Sequence, residues 1–316
     1  MAHTILLALA PVFFVMALGY GGGRLRIVEN HHVDGLNALV MSYALPASLF
    51  AATASAPRSQ ILAQAPLFAI SSVVMLAIFL AWYFIQTRSP KASKPDVALQ
   101  ALTIAFPNLA GVGLPILTDV IGPAGTIPVA TVLAAGSIII NPLSLILVEF
   151  NDPKKAVSSE RTQSRILKAL RHALTKPVVL APAFGILFAL CGLKMNSIVE
   201  ACLLLIGQTA PGVALFLTGL VLSAQPFRLN GAIAAATIAG NIVRPLLTLL
   251  IVSIMPISPE NAKVAVLLAA LPSGFFGILF AVNYRVDPNA TGSIVIASTL
   301  SSIVTLAVAI AVLFPR

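Results

Sequence analysis

Apolar runs of about twenty residues recur along the whole chain, and little else separates them. They fall at roughly 4–22, 33–53, 65–86, 97–119, 123–149, 176–193, 197–222, 229–253, 261–283 and 290–314. A run of that length spans a bilayer as a helix, because lipid offers backbone amides no partners and each segment must bond to itself. Of the 316 residues, 59% are hydrophobic and 9% charged, too few polar groups to clothe a water-soluble domain of this size. The sequence therefore predicts an all-α polytopic membrane protein of about ten helices. A net charge of +9 does not imply nucleic acid here, because the cations cluster in short loops. The connections after odd-numbered spans carry 14 of the 19 Lys and Arg, including Arg24, Arg26, Arg88, Lys154 and Arg228. The positive-inside bias places that face in the cytoplasm of a plasma (inner) membrane and both termini outside. The first run has only His3 before it and Arg24 and Arg26 after it, which reads as a retained helix rather than a cleaved leader.

Two of these runs are interrupted. Residues 106–115 read FPNLAGVGLP and residues 271–280 read LPSGFFGILF. Proline removes a helical hydrogen bond and fixes φ, and glycine lets the chain unwind at low steric cost. Paired interruptions at matching places in two halves of a membrane chain point to a transport site near the midplane. Other echoes support two halves: LAP at 9–11 and 180–182, and YALPASLF at 43–50 against TAPGVALF at 209–216. Pro11 and Pro182 are 171 residues apart; Pro46 and Pro211, and Pro107 and Pro272, are each 165 apart. Five spans per half is an odd number, so the second repeat enters from the opposite side. The expected organisation is a first five-helix repeat at 1–150, a basic cytoplasmic loop at 151–175, and a second, inverted repeat at 176–316. Ile166, Leu167, Leu170 and Leu174 in the loop share a helical face and suggest a short interfacial helix.

The candidate substrate-binding residues follow from the interruptions. In the fourth span they are Pro107, Asn108, Gly111, Gly113 and Pro115, with the amides of the following half-helix offered to a carboxylate. In the ninth they are Pro272, Ser273 and Gly274, with Ser273 in the place of Asn108. Asn241 and Arg244 lie deep in the eighth span; the arginine either attracts an anionic substrate or ties carbonyls of the unwound helices in place of a cation. Gln208 and Thr209 before Pro211, and Asn141 before Pro142, are further candidates for the path or for interhelical packing. No Asp or Glu lies mid-span, against the two-aspartate kind of cation antiporter. His3, His31, His32 and His172 lie in loops or at ends, Cys191 and Cys202 have no metal spacing, and HExxH and GxSxG are missing, so neither an enzyme nor a metal or cofactor site is expected.

FPNLAGVGLPIL at 106–117 resembles the fourth-span motif of the auxin efflux carrier family, a PN followed by GxP. ALPSGFFGILFAVNYRVDP at 270–288 resembles that family's ninth-span motif. The short central loop is similar to the bacterial members, some described as malonate or other dicarboxylate permeases. The resemblance implies the sodium/proton antiporter and bile-acid symporter architecture, with the fourth and ninth helices crossing. Spans 1, 2, 6 and 7 would form a scaffold and homodimer interface, and spans 3–5 and 8–10 a moving transport domain. It implies a secondary transporter of small carboxylates working by an elevator motion, with Pro107, Asn108 and Pro272 at the carboxylate. A channel-like anion uniporter on the same scaffold is the alternative.

Overall fold

A computed structural model describes residues 2–29, 33–89, 92–151, 167, 171, 175–224 and 228–315. Most of the expected interfacial helix at 166–174 lies outside the described residues. Among the described residues the main elements are helices: α1 (Ala2–Arg24), α2 (Val33–Ala54), α3 (Ala65–Gln86), α4 (Lys94–Ala105), α5 (Leu109–Ile121), α6 (Pro123–Phe150), α7 (Pro177–Leu190), α8 (Ser197–Ala224), α9 (Gly231–Ile254), α10 (Pro259–Ala269), α11 (Phe276–Asn283) and α12 (Asn289–Leu313). Six of these, α2, α3, α6, α8, α9 and α12, have the length and apolarity of a membrane span among the described residues, and α5 is a shorter apolar helix.

Helix starts follow local chemistry. Pro66, Pro95 and Pro259 sit in first turns, where the missing N–H costs nothing. Asn196, Asn230 and Ser258 cap α7's successor α8, then α9 and α10, by accepting from backbone amides. Prolines inside helices are absorbed differently. Pro46, Pro115, Pro142 and Pro245 each follow a five-residue turn of π-helix: Val40–Ala44, Leu109–Gly113, Gly136–Ile140 and Ala239–Val243. The residue before each proline donates to a carbonyl five positions back, for example Leu114 N–H to Leu109 O. The wide turn supplies the slack that the missing proline N–H demands.

The α1 and α8 backbones nearly touch at Gly19 and Gly219. A Cβ on Gly219 would lie 2.8 Å from Tyr20 N, so only glycine allows the approach. The interior of the molecule is α4 from Val97 on, α6 from Ile127 to Ser137, α10 from Val264 on, and the chain around the two interruptions. The outward side of α9 is apolar and exposed, with Leu250 at 61% and Ile254 at 76%, as a lipid-facing surface requires.

Candidate functional site

The interruption at 106–108 separates α4 from α5, and that at 270–275 separates α10 from α11. The two unwound stretches pair with each other. Pro107 and Ser273 form an antiparallel bridge, the one isolated bridge among the described residues. Asn108 N–H donates to Pro272 O at 2.8 Å, and Gly274 N–H donates to Phe106 O at 2.9 Å. A Cβ on Gly274 would lie 2.5 Å from Phe106 O, so the bridge needs a glycine there. Phe106 and Phe276 wall the crossing, their ring centroids 5.0 Å apart. Backbone groups that proline and glycine free from two helices are thus satisfied between them.

Arg244 meets the carbonyls that remain. It is 1% exposed and begins the helical turn after the π segment of α9. Its Nε donates to Ala269 O at 2.8 Å and Nη1 to Ile104 O at 2.5 Å, and Nη2 donates to Leu271 O. Ile104 O belongs to the end of α4, Ala269 O to the last residue of α10, and Leu271 O to the interruption that follows it. One guanidinium therefore caps both half-helices, where a cation suits the negative ends of their dipoles.

Asn241, one turn before Arg244, pairs with Ser298 of α12. Asn241 Nδ2 donates to Ser298 O at 2.8 Å, and Ser298 Oγ donates to Asn241 Oδ1 at 2.5 Å. Ser298 Oγ also accepts from Ser273 N–H at 2.8 Å. Ser298 thus ties the second interruption to α9 and α12. Nothing in the sequence marks Ser298, because SIVIASTLSS carries several hydroxyls in one apolar run.

Two side chains at the crossing keep unused hydrogen-bonding capacity. Asn108 is 3% exposed. Its Oδ1 accepts from Gly111 N–H at 3.0 Å, which fixes the amide orientation and leaves Nδ2 without a partner. Ser273 is 0% exposed, and its Oγ has no partner. Four backbone donors at the start of α5, those of Leu109, Gly111, Val112 and Gly113, have partners within the turn. Asn108 O accepts from Val112 and Gly113, Asn108 Oδ1 accepts from Gly111, and Pro107 O accepts from Leu109. A buried donor without an acceptor costs about 1–3 kcal/mol, so each such group asks for an explanation.

The remaining candidates are dispersed. Pro115 follows the π segment of α5, next to Gly111 and Gly113 within it. Asn141 is 7% exposed and follows the π segment of α6, with Oδ1 unpartnered. Gly136, in that same π segment, rests against the Phe106 ring, so α6 packs on the crossing. Gln208 and Thr209 are exposed, and Thr209 Oγ1 donates back to Ile206 O at 2.7 Å. At the far end of α11, Tyr284 O–H donates to Glu149 Oε1 at 3.1 Å, which links the YRVDP stretch to the end of α6.

Interrupted apolar helices held together by backbone pairing, with an arginine plug and buried spare donors, define a membrane transport protein. The chain belongs to the family described as "Membrane transport protein", whose profile matches residues 4–310. It is 31% identical to the uncharacterized transporter YfdV of Escherichia coli (strain K12) over 94% of each chain. It is 22% identical to auxin efflux carrier component 8 of Arabidopsis thaliana, over 96% of this chain and 95% of that one. It is 23% identical to a Rhizobium meliloti (strain 1021) protein provisionally named a malonate transporter, over 94% of this chain and 92% of the other.

Proposed function

We propose that this membrane transport protein is a secondary transporter of small organic anions, mono- or dicarboxylates, working by elevator-type alternating access. The reading rests on one observation: Asn108 Nδ2 and Ser273 Oγ, on the two paired interruptions, are buried and unpartnered. A carboxylate oxygen supplies the acceptors they lack, and the charge-assisted bonds are stronger than neutral ones. Pro107, Gly111, Gly113, Pro115, Pro272 and Gly274 shape the backbone that presents these two side chains. Arg244 holds the ends of the half-helices and keeps its distance from the substrate, since all three of its donating nitrogens point at carbonyls. The relative named for malonate favours a dicarboxylate within the class.

In this reading ten helices form two inverted repeats, 1–150 and 176–316. The spans α1, α2, α7 and α8 are the scaffold and pair two copies of the chain. The spans that follow them in each repeat, α3 to α6 and α9 to α12, carry the crossing across the inner membrane, with both termini outside. The test is thermal unfolding of purified protein against a panel of carboxylates that includes malonate, with Asn108→Ala beside the parent. A ligand at one hundred times its Kd stabilises by about 2.7 kcal/mol. One acid should raise the parent's midpoint and leave the variant's unmoved. An equal response in both would remove Asn108 from the site and this reading with it.

A further inference from the structure

A cavity of about 880 Å³ lies between α1, the end of α8 and the first half of α12, lined by none of the residues assigned above to the substrate. Its walls are mostly apolar, with Phe13 and Met16 of α1, Leu222 of α8 and Ile296 of α12. At one end stand Tyr20 and Arg24, the arginine 5.6 Å over the tyrosine ring and donating from Nε to its hydroxyl. Both are exposed, as are Ala17 and Leu300, so the cavity is open along one side. Thr299, 5% exposed, contributes to the wall beside Ile296 and Leu300.

We infer that this cavity holds one acyl chain of an anionic phospholipid whose headgroup rests on Arg24. Three observations meet. First, length: eleven residues from Phe13 to Arg24 rise roughly 16 Å at 1.5 Å per residue, about half of a 30 Å hydrocarbon core, which is the reach of one leaflet. Second, depth: α1 ends at Arg24 on the cation-rich face, so the guanidinium lies at the level of the cytoplasmic headgroups, where anionic lipids collect. Tyr20 beside it is the amphipathic residue favoured at that boundary. Third, chemistry: the wall is mostly apolar and ends in the Arg24 guanidinium, the pattern of an acyl chain below an anionic headgroup. A small dicarboxylate matches only the cationic end, so the occupant differs in class from the transported anion. Because the cavity is bounded by α1 and α8 on one side and α12 on the other, the lipid would wedge between the two sets of helices assigned above to scaffold and transport domain.

The test is native mass spectrometry of the full chain in mild detergent, titrated with palmitoyl-oleoyl phosphatidylglycerol or phosphatidylcholine. The parent should retain one phosphatidylglycerol in preference to phosphatidylcholine by roughly fivefold, the contribution of one surface arginine. Arg24→Gln should lose that preference, whereas Arg26→Gln, two residues on, should keep it. Ile296→Trp fills the cavity and should lose both lipids while keeping the parent's thermal midpoint. Equal retention of the two lipids by the parent overturns the inference. So does an equal effect of Arg24→Gln and Arg26→Gln, which would mark a diffuse surface charge. So does retention by a folded Ile296→Trp, or a dimer that Ile296→Trp dissociates, which would make a second copy the occupant. None of these outcomes touches the Asn108 experiment, so the two readings fail separately.

Discussion

Replacing Arg244 with alanine removes the donors that three carbonyls share, at Ile104, Ala269 and Leu271. Nearby amides cannot take over. Pro107 has none, Asn108 N–H is committed to Pro272 O, and Ser273 N–H is committed to Ser298 Oγ. Side-chain hydrogen bonds between membrane helices measure about 0.6 kcal/mol on average and about 1.7 at most, so three lost bonds put the penalty at about 2–5 kcal/mol. The void bordered by Arg244 and Pro107 is about 10 Å³, room for a single water at most. Truncation enlarges it, and an entering water recovers part of the loss, which brings the net cost to about 3 kcal/mol. A domain of a few hundred residues loses about 2–4 °C per kcal/mol, so the midpoint should fall by roughly 6–12 °C. The single tryptophan, Trp82, is 7% exposed in α3 and reports unfolding by its fluorescence in detergent. Arg244→Lys keeps the charge but loses the planar fork, and should recover about half of the fall. An Arg244→Ala protein that unfolds at the parent's temperature would refute the idea that the guanidinium holds the half-helix ends.

Gly274→Ala places a methyl 2.5 Å from Phe106 O and 3.3 Å from Pro107 O, both backbone atoms that cannot swing aside. It should cost about 1–3 kcal/mol and abolish stabilisation by the carboxylate, whereas Gly212→Ala, with nothing within 4 Å, should change neither in the same thermal assay. Asp96 stands just before the fourth apolar run, in the first turn of α4. Burial pushes its carboxyl from 3.8 up to about 6; the hydrogen bond from Gln100 opposes the shift, and the charge of Asp287 adds to it. The folded state then holds the proton more tightly than the unfolded one, so the contribution of Asp96 to stability is full below pH 4 and lost as pH rises through 6. Asp96→Asn should therefore unfold at a higher temperature than the parent at pH 7.5, with the gap closing towards pH 4; a gap independent of pH would show that ionisation is not involved.

What the sequence exposes of this molecule is where hydrogen bonds cannot be made. Proline and glycine in FPNLAGVGLP and LPSGFFGILF declare missing donors in segments that lipid leaves no way to satisfy, and a lone arginine in GNIVRPLL declares a charge that must find acceptors. Those deficits are legible because they are properties of single residues. How the deficits cancel is a property of pairs across space. Nothing in the chain between 108 and 272 says that Asn108 N–H meets Pro272 O, or that Arg244 divides its nitrogens among Ile104, Ala269 and Leu271. The π turns before Pro46, Pro115, Pro142 and Pro245 were equally hidden, since a proline in a helix can be accommodated by a kink or by an inserted residue, and the surrounding packing chooses. Gln208 and Thr209 show a different limit. The run around them is apolar on every side, so periodicity cannot tell an inward face from an outward one, and the structure turns both outward. Ser298 is the next residue to probe. Ser298 satisfies Asn241 and the Ser273 amide at once, yet it does so with a hydroxyl that any apolar span could carry harmlessly by bonding back to its own helix. Its importance comes from standing where a second chain segment has run out of helical partners, and that can be recognised only after both interruptions have been placed side by side.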